Sequence, residues 1–184
     1  MMSFRQQLAA TLRAARSILE VPGVMVVGSE VPNLLEAGAA STLVVSRDVD
    51  IGVPVDSHAR VRERLPSLVG FRRCDDEPSV WTPAVAGLLE VRFVGVDPSI
   101  RDPMDTYVLE DRELPLLVFG PLGLLTPGDP VLVEGVTIPV PRIAGLVLEK
   151  LLTDRTAEKG ARCPSVAGIY HRLHLHGPGK RQWN

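Results

Sequence analysis

The stretch STLVVSRDVDIGVP, Ser41 to Pro54, decides how this chain is read. An apolar, β-branched run halts at RDVD and resumes at once with IGV. On a strand, residues i and i+2 share a face, so Asp48 and Asp50 converge while Val49 points the other way. Two adjacent carboxylates repel unless a cation stands between them. Mg²⁺ suits that place, because it takes one or two carboxylates and leaves its other positions to water and phosphate. The competing reading is a strand end with both aspartates solvated, or paired with Arg47 and a neighbour. The apolar flanks make the strand look central, where uncompensated charge is expensive. That weighs toward a functional site.

Upstream, VMVV (Val24 to Val27) is a short apolar run without alternation, as in a strand buried on both faces. Gly28 and Ser29 close it, and Ser29 can cap a short helix through EVPNLLEAG, with Pro32 in its first turn and Gly38 ending it. A glycine and a serine at a helix N-terminus offer N–H groups and a hydroxyl to a phosphate. The chain holds no GxxxxGK[ST] and no GxGxxG, so neither a P-loop nor a dinucleotide-binding fingerprint supports that site. Before this, Ser3 can cap a helix running to about Glu20, with Phe4, Leu8, Leu12, Ala15 and Leu19 on one face.

Downstream, the pattern predicts a helix over His58 to Leu65, a strand in LVGFRRC, a turn at DDEPS and a strand from Leu88 to Val96. DPSIRDPMDTYVLEDRELP, rich in Asp and Pro, reads as a long surface excursion. DPVLVEGVTIPVP reads as a hairpin turning at Glu134-Gly135. RIAGLVLEKLLTDR reads as a helix with Ile143, Leu146, Val147 and Leu151 on its apolar face. A last helix is expected from Ser165 to His174, followed by a frayed tail. The order predicts an α+β (mixed α/β) fold: a small mixed sheet flanked by helices, with a helical C-terminal part. Residues 1–140 would form the core and 141–184 a helical segment packed on it, as one compact unit.

The 184 residues suffice for one domain with a real core, and aromatics at 4% leave that core to Val, Leu, Ile and Ala. A net charge of −2 argues against a strong nonspecific grip on nucleic acid. The two cysteines, Cys74 and Cys163, form no CxxC pair, which argues against a cysteine zinc site. The N-terminal stretch has no apolar core of the length a signal peptide or membrane span needs, so a cytoplasmic location without membrane contact is expected.

VMVVGS followed some twenty residues later by SRDVDIGV resembles the signature of the nucleotidyltransferase superfamily, in which a GS turn opens a helix and the next strand carries DxD. EGVTIPVPRIAGLVLEKLLTDRTAEKGAR resembles the C-terminal half of bacterial nucleotidyltransferases of the AbiEii toxin type, with Lys150, Leu151, Arg155 and Lys159 matching its pattern. The resemblance spans roughly residues 24 to 163. It implies a nucleotidyltransferase-like fold and a transferase that moves NMP from an NTP to a hydroxyl. It implies Asp48 and Asp50 as ligands of Mg²⁺ (or Mn²⁺), with a third carboxylate from a neighbouring strand. Glu90 is the best match for that carboxylate, facing the same way as Arg92, and Asp97 is the fallback. An ion pair between Glu90 and an arginine weighs equally. Gly28 and Ser29 would hold the triphosphate, joined by Arg47, Arg155 and Lys159, and Lys150 would meet a phosphate or orient the attacking group. Lys150 reads otherwise as a surface lysine paired with Glu149 or Asp154.

The partners implied are an NTP, a tRNA or protein acceptor, and an antitoxin if the chain is half of a toxin–antitoxin pair. Two departures stand against the pattern. The chain is short for this type, so substrate-binding helices are expected to be missing. Arg162 and Cys163 stand where an aspartate is expected. That favours an alternative, a catalytically impaired protein that keeps the fold and binds or regulates. HRLHLH holds His171, His174 and His176; His171 and His174 have the i, i+3 spacing of helical metal ligands, but no carboxylate or cysteine stands beside the set, which reads as a solvated or partly packed helix end. Asp75, Asp76 and Glu77 read as a solvated turn. No GxSxG elbow occurs to support a hydrolase triad.

Overall fold

The computed structural model describes residues 2–28, 31–35 and 48–157. The helix α1 (Phe4–Ala14) begins as its sequence predicts. The Gln6 N–H donates to Ser3 Oγ at 3.3 Å, and the Ser3 N–H donates to Gln6 Oε1 at 2.9 Å. This reciprocal box satisfies two amides that the first turn would otherwise leave unpaired. The helix does not run unbroken to Glu20. At Ala15 the backbone leaves helical geometry (φ −88°, ψ 6°), and a separate turn, α2 (Arg16–Leu19), follows.

The central layer is a mixed seven-stranded sheet, so the fold is α+β. Its spine is β1 (Met25–Val27), β2 (Asp48–Pro54) and β5 (Glu90–Val96). β1 runs antiparallel to β2, and β2 runs parallel to β5 along its whole length. Beyond β5 the sheet forks. The first half of β5 pairs antiparallel with β4 (Val80–Pro83), which pairs with β3 (Phe71–Arg73). The second half pairs parallel with β7 (Leu116–Phe119), which carries β6 (Thr106–Leu109) on its outer edge. Val49, Ile51, Val53, Val91 and Phe93 are all buried on one face of the β2–β5 pair. These near-continuous apolar strands are what a sheet covered on both faces requires.

Helices fill in around the sheet. α3 (Val31–Leu35) follows β1 and touches the hairpin strand β8 (Val131–Val133), and α4 (His58–Arg64) packs against β2. Arg62 Nη1 donates to Asp111 Oδ2 at 2.8 Å, and His58 Nε2 donates to the Leu114 carbonyl at 2.8 Å, fastening α4 to the β6–β7 connection. The hairpin of β8 and β9 (Val136–Ile138) turns where expected. Glu134 and Gly135 both take positive φ (49° and 77°), the pairing that a tight two-residue turn demands. α5 (Ile143–Ala157) rests on the 3₁₀ turn Gly120–Leu124. Among the described residues no helix is long and apolar enough to cross a membrane.

Two expectations need correction. The Asp- and Pro-rich excursion contains β6, and the LLVF run after it is β7, so this region builds one arm of the sheet. VWTP, after the acidic turn, is a further strand, β4. The face of α5 is also rotated: Leu146 and Glu149 are buried, whereas Ile143, Val147 and Leu151 are at least half exposed. Gly145 sets this rotation. A Cβ there would come within 2.7 Å of the Leu124 carbonyl oxygen, so only the glycine side of the helix can approach the 3₁₀ turn.

Candidate functional site

β2 and β5 begin level with each other. Asp48 stands opposite Glu90, and Asp50 opposite Arg92. Equal parity puts all four side chains on one face, while Val49 and Val91 turn into the core. The convergence of Asp48 and Asp50 expected from i, i+2 spacing is therefore present. On the other side of β2, Val27 stands opposite Asp50, and the chain leaves β1 through Gly28 at φ 94°, a conformation that favours glycine. The end of β1 thus lies beside the aspartates.

Arg92 is the hub. Its Nε donates to Glu90 Oε1 at 2.8 Å and lies 3.3 Å from Asp48 Oδ2. Burial works against the charge of the guanidinium. The Glu90 hydrogen bond and the charges of Asp48, Glu90 and Asp50 outweigh burial and hold its pKa above the ordinary value. Glu90 makes an ion pair with an arginine, Arg92, as one of its two readings expects. Asp97 lies at the opposite end of β5, seven strand positions or about 23 Å from Glu90. It accepts hydrogen bonds from the Ser99 hydroxyl, the Tyr107 hydroxyl and the Ser99 N–H, which hold its carboxyl below the usual range. Its role is to close the turn after β5, not to complete the carboxylate cluster.

Glu77 was missed as a member of this cluster. It lies in the β3–β4 connection, where its carbonyl accepts from the N–H of Val80, the cross-strand neighbour of Arg92. Its Oε1 is buried with no hydrogen-bond partner among the described residues. Burial raises its pKa above the ordinary 4.5, with Arg92 pulling down and Glu90 pushing up. The signal that would have found it is the pairing of β4 with β5, which the acidic turn concealed. A carboxyl whose folded pKa exceeds its unfolded value contributes stability below the unfolded pKa and loses it as pH rises through the folded one. Glu77→Gln is therefore expected to raise the melting temperature at pH 7, with the gain vanishing toward pH 4. Melts across that range check this, and a gain that grows on acidification would contradict it.

The remaining predicted residues are less fully described. Ser29, Arg47 and Lys159 lie outside the described residues, as do Cys163 and the three C-terminal histidines. Lys150 and Arg155 fall on the backbone of α5, and their side chains lie outside the described set. α5 is anchored at the Asp97 end of the sheet, since Gly123 abuts the Asp97 carbonyl and Gly145 abuts that of Leu124.

Among the described residues, no three His, Cys, Asp or Glu gather closely enough to enclose a metal ion. The donor chemistry nevertheless suits Mg²⁺. The available donors are hard carboxylate oxygens, and two of them on one strand are all that Mg²⁺ needs from protein when water and phosphate supply the rest. Among the described residues, Glu90, Asp48 and Asp50 all favour the charge of Arg92, and Arg92 in turn pulls the Glu77 carboxyl down. No family model, no curated protein and no solved structure matches the chain.

Proposed function

We propose that this protein is a Mg²⁺-dependent nucleotidyltransferase of AbiEii-like type, transferring NMP from an NTP to a hydroxyl of RNA, protein or a small molecule. The observation that carries this reading is the placement of Asp48 and Asp50 side by side on β2, flanked by the Gly28 turn of β1 and by Glu90 and Arg92 of β5. Asp48 and Asp50 would hold the ion. When bound, Mg²⁺ neutralises phosphate oxygens and orients the attacking oxygen. The turn at Gly28, with Ser29 after it, would present N–H groups to the triphosphate. Arg92, held charged by its acidic neighbours, offers a fixed positive group where charge develops on the transferring phosphate. The acceptor oxygen displaces pyrophosphate from the α-phosphorus in line, and the hydroxyl proton leaves to solvent or a carboxylate. A nucleotidyltransferase-type fold, a cytoplasmic setting and a toxin role beside an antitoxin belong to the same proposal and rest on the sequence resemblance.

A second reading has one specific observation in its favour. Arg92 already supplies positive charge to Asp48 and Glu90, as expected of a protein that keeps the site for binding or regulation without turnover. Incubation with each labelled NTP, Mg²⁺ and total tRNA or protein separates the two. Label transfer supports the enzyme, and nucleotide binding without transfer supports the regulatory protein.

A further inference from the structure

Arg92 already occupies the carboxylate where the metal is expected. Its Nε lies 3.3 Å from Asp48 Oδ2 and donates to Glu90 Oε1 at 2.8 Å. A divalent ion and a guanidinium on one carboxylate carry like charge, so each disfavours the other. The site therefore needs a second place for Arg92 when the ion arrives. Release to water would carry the arginine away from the transferring phosphate.

Glu77 is placed to receive it. Its carbonyl accepts from the Val80 N–H at 2.8 Å, and Val80 stands directly across from Arg92 in the β4–β5 pair. Residues opposite one another in an antiparallel pair are side-chain neighbours, so the turn carrying Glu77 enters β4 beside Arg92. The Glu77 carboxyl feels the charges of both Arg92 and Glu90. Yet its Oε1 is buried without a hydrogen-bond partner among the described residues. Folded proteins leave few buried polar atoms unsatisfied, and each one calls for a role. The guanidinium suits the exchange. Its contacts to Asp48 and Glu90 both use Nε, and it carries five donors in one planar fork. It can turn toward Glu77 while Glu90 holds its Nε.

We propose that Glu77 is a positioning residue, which takes over the Arg92 guanidinium when a divalent ion occupies Asp48. The exchange frees the Asp48 carboxylate for the metal and keeps Arg92 charged beside the transferring phosphate. It rests on the reading of Asp48 and Asp50 as metal ligands. The Arg92–Asp48 pair is then the resting state of the site rather than a sign of lost turnover.

The test measures Mn²⁺ binding by the full chain, from the electron paramagnetic resonance signal of the unbound ion. Glu77→Gln is expected to weaken binding about tenfold. In an Arg92→Gln background the same substitution should weaken it no more than about twofold, the through-space effect of one charge. Melts of the metal-free variants show that each is folded, and there Glu77→Gln should raise the melting temperature at pH 7. A more stable chain with a weaker metal site is not what a merely structural side chain gives. Unchanged Mn²⁺ affinity in Glu77→Gln would overturn the proposal and leave the metal reading standing. So would an equal loss in both backgrounds, since Glu77 would then act as a ligand itself. No Mn²⁺ binding by the parent chain would overturn both.

Discussion

Replacing Asp48 and Asp50 together by asparagine is expected to lower nucleotidyl transfer by about a thousandfold or more, with the unfolding midpoint nearly unchanged. The two effects have different causes. A metal that neutralises transferring phosphate contributes several kcal/mol to the transition state, and about 4 kcal/mol corresponds to a thousandfold in rate. Asparagine keeps the shape but loses the anionic oxygen that binds Mg²⁺. The folded state loses less, because the asparagine oxygen can still accept a hydrogen bond from Arg92 and the Asp48–Arg92 pair is partly open to water. Some repulsion within the acidic cluster is relieved at the same time. Transfer assays paired with urea titrations check both halves, and a collapse of stability matching the loss of activity would show the aspartates to be structural.

Phe93→Ala is expected to show the opposite pattern, a loss of stability with no direct contact to the cluster. Phe93 is 2% exposed on β5, with Ile51 directly opposite it on β2. Truncating a buried phenylalanine to alanine costs about 3–5 kcal/mol, through lost transfer energy and the cavity left behind. Against a typical total of roughly 5–15 kcal/mol this removes much of the margin. The urea midpoint should fall with an unchanged slope. Leu132→Ala, at a side chain 69% exposed on β8, should stay within about 0.5 kcal/mol of the parent. A cost below about 1 kcal/mol for Phe93→Ala would contradict the central position of β5.

Local chemistry was legible in the sequence, and non-local pairing was not. The Ser3 cap, the buried β1 run and the Glu134-Gly135 turn each depend on a few adjacent residues, and all three are present. β4 and β6 are four-residue strands beside acidic or Pro-rich loops, and their neighbours in the sheet, not their own pattern, make them strands. The α5 stripe was visible, but which side meets the core depends on the fit of Gly145 against Leu124, which no periodicity reveals. At the site, the convergence of Asp48 and Asp50 follows from strand geometry alone. Its opposition to Glu90 and Arg92 follows from the parallel register of β2 with β5. Glu77 depends on where β4 pairs, so a solvated turn was the natural reading of a residue whose carboxyl in fact joins the cluster.

The central claim is that Asp48 and Asp50 hold a nucleotide through a divalent ion, and calorimetric titration of the full chain with NTP tests it most directly. Binding is expected with Mg²⁺ present, at least about tenfold weaker when the ion is chelated, and lost in the Asp48→Asn/Asp50→Asn variant. Binding of equal strength with and without Mg²⁺, unaffected by the double substitution, would contradict it, as would no binding under any of these conditions.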